Sequence, residues 1–175
     1  MIATKIKSED VAKCLAESKR RQDWFQSQQR NANPIRLFVD CAAEMAVAMQ
    51  FQIHIRGFNH DTGRSDGVGV MRVRGTISGI LFLAEEDLVD KAAPFVCVAF
   101  EEKDVVRSME NEESLPGCVL GWRFGFECVP GQQYGRSELY HTDSLKNYLN
   151  HEQREIDAIK RRKIELDKKR LGVTV

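Results

Sequence analysis

The sequence predicts an α+β fold: an antiparallel sheet of four or five strands, with N-terminal helices and a long C-terminal helix packed on one of its faces. Three observations carry that expectation. Apolar residues recur at helical spacing over residues 8–50, the period drops to two within residues 51–129, and helical spacing returns over residues 144–171. With 175 residues, 42% of them hydrophobic and 30% charged, the chain reads as one domain, 1–175, around a single core.

The first helix is expected from Ser8 to Arg30, with Ser8 as its cap and Glu9 and Asp10 at the positive end of its dipole. Its narrow apolar face holds Val11, Cys14, Leu15 and Phe25 together with Ser18 and Gln22, which makes it a peripheral helix. Asn33-Pro34 then reads as a cap followed by proline at the first helical position, where no amide hydrogen is needed. The helix that follows, to about Gln50, has one polar stripe of Arg36, Asp40 and Glu44 and is otherwise apolar, so it is the most buried one.

From Phe51 the residues alternate: Phe51, Ile53 and Ile55 against Gln52, His54 and Arg56. Residues 57–67 are dense in turn formers and read as a long hairpin loop, and residues 68–83 as a strand divided by a bulge or bend that Gly75 and Gly79 mark. Phe95 to Phe100 is apolar on both faces, as suits a central strand, and residues 101–116 read as acidic and irregular. In the last strand, Cys118 to Val129, the alternation sets Cys118, Leu120, Trp122, Phe124, Phe126 and Cys128 on a core face. The final helix, residues 144–171, ends at Gly172 and at 28 residues would reach roughly 42 Å.

No apolar run approaches the ~18 residues of a membrane span, and the opening residues lack the apolar core of a signal peptide. Five scattered cysteines without a CxxC pair argue against a disulfide framework and a zinc site, so a reducing cytoplasm is the expected location, with no metal and no cofactor. The zero net charge conceals a segregation. Residues 1–36 carry eight Lys/Arg against four Asp/Glu, residues 37–143 nine against seventeen, and residues 144–175 nine against five. Basic ends can fold over the acidic centre of the same chain or dock on that of another copy.

The candidate binding residues are arginines. Arg56, Arg72 and Arg74 fall on the wet side of strands expected to pair, Arg64 lies in the loop before them, and Arg123 stands between Gly121 and Gly125. Guanidinium groups above a glycine floor suit bidentate capture of carboxylates or phosphates. Lys160, Arg161, Arg162 and Lys163 form a basic run on the last helix, able to meet nucleic-acid phosphates, although Glu165 and Asp167 dilute it. His54, His60 and His141 are the only groups that invite acid–base chemistry, and no hydrolase, nucleotide-loop or dinucleotide motif accompanies them.

The leading expectation is therefore a non-catalytic, regulatory interaction protein that binds a protein partner through charged surfaces, the acidic segment Glu101–Glu113 or the sheet face, and self-associates through its terminal helices. A nucleic-acid binder using the basic helices and sheet arginines is the alternative, and a small enzyme with a loop histidine the third reading. The first leads because the surface offers charge and shape without a reactive constellation.

Overall fold

The computed structural model describes residues 1–59, 64–89, 92–152 and 154–155, the side chains of 56–59, 64–66, 86 and 89 excepted. The chain divides into two compact units, Met1–Thr142 and Asp143–Val175. The first is α+β. Its elements are β1 (Ile2–Ile6), α1 (Ser8–Ser27), α2 (Pro34–Phe51), β2 (Ile55–Asn59), β3 (Arg64–Val68), β4 (Arg72–Thr76), β5 (Leu81–Phe82), β6 (Pro94–Phe100), α3 (Glu102–Asn111), β7 (Leu115–Phe124) and β8 (Gln133–Tyr134). The last helix, α4, helical over residues 142–152 and again at 154–155, starts at Thr142 and otherwise belongs to the second unit. Within it Tyr148 hydrogen-bonds to Glu152 one turn on. The described helix is short, in place of the long one expected; residues 156–171 of that expectation lie outside the described residues.

The main sheet has four strands in the order β1-β7-β6-β4 and is mixed, where an antiparallel one was expected. β7 runs antiparallel to both β1 and β6, but β4 and β6 are parallel. Residues 77–93 therefore act as a crossover between two parallel strands, a connection that no hairpin turn can make. β2 and β3 form a separate antiparallel pair, and β5 pairs with β8. Residues 51–129 thus do not make one sheet, and one strand of the main sheet, β1, comes from before them.

Local sequence explains most helix limits. Asn33 caps α2, its Oδ1 accepting the amide hydrogens of Ile35 (2.9 Å) and Arg36 (3.3 Å), and Pro34 follows where its missing donor costs nothing. The helix runs on to Phe51 and stops at Gln52, which is left-handed at φ 55°, so the expected strand opens on the last helical residue and its cap, and strand begins only at Ile55. In α1 Lys7 stands at the cap position without a side-chain bond, and Ser8 is already helical. Residues 102–111 form α3, where irregular chain was expected: Asp104, Val105 and Ser108 give it one buried face at three- and four-residue steps.

A β-bulge decides which side chains face which layer. Val98 stands opposite Val119 and Val96 opposite Trp122, so Val119 and Trp122 share a face although they are three apart, and Leu120 is the extra residue. The expected single core face from Cys118 to Cys128 is therefore interrupted. One face, bearing Ile6, Val73, Val96, Val98, Leu115, Val119 and Trp122, is covered by α2, whose Phe38, Val39, Ala42, Ala43, Ala46 and Val47 are buried. At Gly75 the two layers nearly touch: an added Cβ would stand 2.3 Å from the Val39 carbonyl oxygen. The other face carries Phe95 and Cys97 into a second cluster with Leu81, Leu83, Leu88, Cys128 and Tyr134. β6 is thus covered on both sides, as its unbroken apolar run predicts.

Candidate functional site

The predicted arginines are dispersed, and those whose side chains are described are taken up by the fold. Arg74, on the edge strand β4, places Nη1 3.5 Å from Asp40 Oδ2 and bonds through Nη2 to Asp87, whose other oxygen accepts the Ala84 amide hydrogen at 2.9 Å. Asp40 also accepts the Gly75 amide hydrogen at 3.1 Å and lies 3.4 Å from Arg36 Nε. One buried carboxylate therefore blunts the outer edge of β4 and ties it to α2. Arg123 donates to the carbonyl oxygens of Glu138 (2.8 Å) and Glu127 (3.3 Å) and stacks 4.7 Å above the Tyr134 ring. Arg72 is half-buried and also engaged. Arg56 and Arg64 belong to the separate β2–β3 pair, so they do not share a strand pairing with Arg72 and Arg74. Lys160, Arg161, Arg162 and Lys163 lie outside the described residues.

The strongest concentration of buried charge lies between α1 and α2, and sequence reasoning missed it. Arg21 is 3% exposed and Glu44 2%; Nη2 and Nη1 of the arginine meet the two carboxylate oxygens at 2.8 and 3.2 Å, and its Nε reaches Glu17 at 2.9 Å. Burial works against the Arg21 charge, but the bonds to Glu44 and Glu17 outweigh it and hold its pKa above the usual range. The signal was present in the spacing, because Arg21 follows Cys14 and Ser18 at helical steps on the buried face of α1. A cleft of about 290 Å³ opens here, lined by Lys13, Cys14, Arg20, Cys41, Met45 and Ile55 besides the ion pair. Burial pushes the Cys14 thiol up to about 12 and the Cys41 thiol higher still, so both stay protonated and poorly nucleophilic.

Neither His54 nor His141 is among the residues that line this cleft. His54 and His141 are exposed, and their backbone carbonyls accept from the Gly69 amide and the Trp122 indole respectively. His60 lies outside the described residues. Among the described residues no cluster of His, Cys, Asp or Glu could hold a metal ion, and no helix is long and apolar enough to cross a membrane.

The open surface of the first unit is aromatic where β7 ends. Tyr140 extends the sheet by pairing with Trp122 across two backbone bonds, of 2.8 and 3.2 Å. The Trp122 ring lies 5.2 Å from Tyr140 and 4.8 Å from Phe124, which stacks on Phe126 at 5.0 Å with the rings 15° apart. Trp122 is 5% exposed, but Tyr140, Val129 and Phe126 are 43%, 56% and 63% exposed. Phe126 was expected under a helix; β7 stops at Phe124, and Phe126 sits in the 3-10 turn Gly125–Glu127, turned to water. Glu127 fixes this turn, accepting the Phe124 amide hydrogen at 3.1 Å and the Tyr140 hydroxyl, a bond that raises the pKa of the phenol. Gly121 is needed beneath it, since a Cβ there would stand 2.5 Å from the Tyr140 carbonyl oxygen. Among known proteins the chain matches no family model, no curated sequence and no solved structure, so its functional reading rests on this geometry.

Proposed function

We propose that the protein is a non-catalytic, regulatory interaction protein that binds a protein partner through the aromatic row Tyr140–Phe124–Phe126 and the adjoining Val129. The observation that carries this reading is the exposure of three large apolar side chains, Phe126, Val129 and Tyr140, in the chain that follows β7, with Phe126 stacked on Phe124 and Tyr140 bonded to Glu127 next to it. Monomeric surfaces scatter such residues singly, and exposed aromatics held by a rigid turn are typical anchors of protein interfaces. The described arginines support it indirectly, because Arg74 and Arg123 are spent on internal carboxylates and carbonyls and leave no bare guanidinium floor. Five free thiols suit the reducing cytoplasm as its location.

The test places a photo-crosslinking phenylalanine analogue at position 126 in cells and measures the captured protein, once purified, against wild type and Phe126→Asp. Loss of an aromatic anchor is expected to weaken binding by about thirtyfold or more. Capture of nucleic acid instead of protein, or a captured protein that binds Phe126→Asp as well as wild type, overturns the proposal.

A further inference from the structure

The two edges of the main sheet are treated differently. Asp40 occupies the outer side of β4, accepting the Gly75 amide hydrogen and facing Arg74. On the other side β1 is the terminal strand; its one strand partner is β7, and among the described residues nothing else bonds its backbone. An unpaired strand edge is a template for another strand unless a charge, a bulge or a covering element blunts it.

The sequence of β1 says which strand fits. Ile2-Ala3-Thr4-Lys5-Ile6, turned antiparallel about Thr4, sets Ile2 against Ile6, Ala3 against Lys5 and Thr4 against its own equivalent. Opposed residues share a face in an antiparallel pair. The isoleucines and threonines then line the face that α2 covers in each copy, where Ile6 is already fully buried, and exposed Ala3 lies beside exposed Lys5 on the other face. Sliding the axis to Lys5 would oppose two lysines and lose outer pairs, and sliding it to Ala3 would set Ile2 against Thr4. The arrangement about Thr4 is the one that uses all five residues without a like-charge contact.

We propose that β1 of one copy pairs antiparallel with β1 of a second copy about Thr4, joining two four-stranded sheets into one continuous sheet through a two-fold axis. This interface is separate from the aromatic row at the end of β7, and neither reading depends on the other.

Sedimentation equilibrium on the full chain tests it, with a mass of twice 20.0 kDa expected for wild type. Ala3→Lys sets a new ammonium opposite Lys5 of the partner subunit at two symmetric places and is expected to weaken the dimer about tenfold. Ala3→Lys with Lys5→Glu replaces both repulsions by opposite-charge pairs and restores it. Both positions are exposed in one chain, so the far-UV circular dichroism of each variant stays that of wild type. As a second measurement, Thr4→Cys is expected to give a disulfide-linked dimer on mild oxidation, because the opposed Cα atoms lie within reach of that bond, whereas Ala3→Cys faces lysine and does not. A wild-type chain monomeric at about 100 µM, a dimer indifferent to Ala3→Lys, or equal crosslinking of Thr4→Cys and Ala3→Cys overturns the proposal.

Discussion

Removing Arg21 is the sharpest perturbation of the first unit. Among the described residues both oxygens of Glu44 are bonded by Arg21, and Glu44 is 2% exposed, so Arg21→Met leaves a buried carboxylate without the guanidinium that bonds it. Stranding one member of such a pair costs about 3 to 5 kcal/mol, a large part of the roughly 5 to 15 kcal/mol that holds a domain folded. At a urea slope of about 2 kcal/mol per molar, the midpoint falls by about 1.5 to 2.5 M. Glu44→Leu combined with Arg21→Met removes both charges and fills their place with apolar volume. That variant is expected to regain most of the loss, since buried pairs replaced by hydrophobic residues are often neutral in stability. Urea titrations followed by circular dichroism on wild type, both single variants and the double variant close the cycle. An Arg21→Met protein within about 1 kcal/mol of wild type, or a double variant no more stable than Arg21→Met, would refute the assignment of Glu44 as a charge that Arg21 alone compensates.

Four further outcomes follow from the same geometry. Asp40→Ala uncaps Gly75 and strips Arg74 of one of its carboxylates; a loss of about 1 to 3 kcal/mol and faster hydrogen exchange at the Gly75 amide are expected by NMR. Gly75→Ala forces a Cβ to 2.3 Å from the Val39 carbonyl oxygen and is expected to destabilise by about 1 to 3 kcal/mol in thermal melts, with no loss if α2 can shift freely. At pH 8 Ellman's reagent is expected to modify half-exposed Cys118 first and to leave Cys14 and Cys97, both pushed up to about 12 by burial, until the protein unfolds. For Glu17, partial burial raises the pKa, but bonds from Arg20 and Arg21 outweigh it and set it below 4.5, so its contribution to stability is present above about pH 4.5 and fades as pH falls through the lower folded value. Glu17→Gln should accordingly lose stability at neutral pH and converge with wild type in acid, where urea midpoints of the two are compared.

Much of the architecture was legible because it rests on local chemistry. Asn33-Pro34 announces α2, and Phe95 to Phe100 announces a strand covered on both sides. What was not legible depends on contacts across the chain. Ile2–Ile6 alternates, but five residues ending in a lysine and an isoleucine carry little periodic signal until β7 is beside them. The direction of β4 relative to β6 has no sequence signature, since side-chain alternation is the same in parallel and antiparallel strands. Asp40 and Glu44 form a polar stripe on α2 whose partners lie far along the chain; they are 8% and 2% exposed because Arg74, Gly75 and Arg21 meet them there. The arginines misled for the complementary reason, as a guanidinium on the less apolar face of a strand can be closed over by a loop, as Tyr134 and the Glu138 carbonyl close over Arg123.

The inserted residue at Leu120 divides β7 into two half-strands of opposite phase, with odd-numbered side chains facing α2 before it and even-numbered ones after it. Cys118 and Arg123 look one way, Val119 and Trp122 the other, because each pair straddles the bulge. A chain shortened by Leu120 alone would still set Val119 opposite Val98, Gly121 opposite Cys97 and Trp122 opposite Val96, so every remaining side chain would keep its layer and the ladder would run on without a bulge. Among descendants of this sequence, the length between positions 119 and 122 is therefore expected to vary by this one residue, because either length sends Val119 and Trp122 to the same layer.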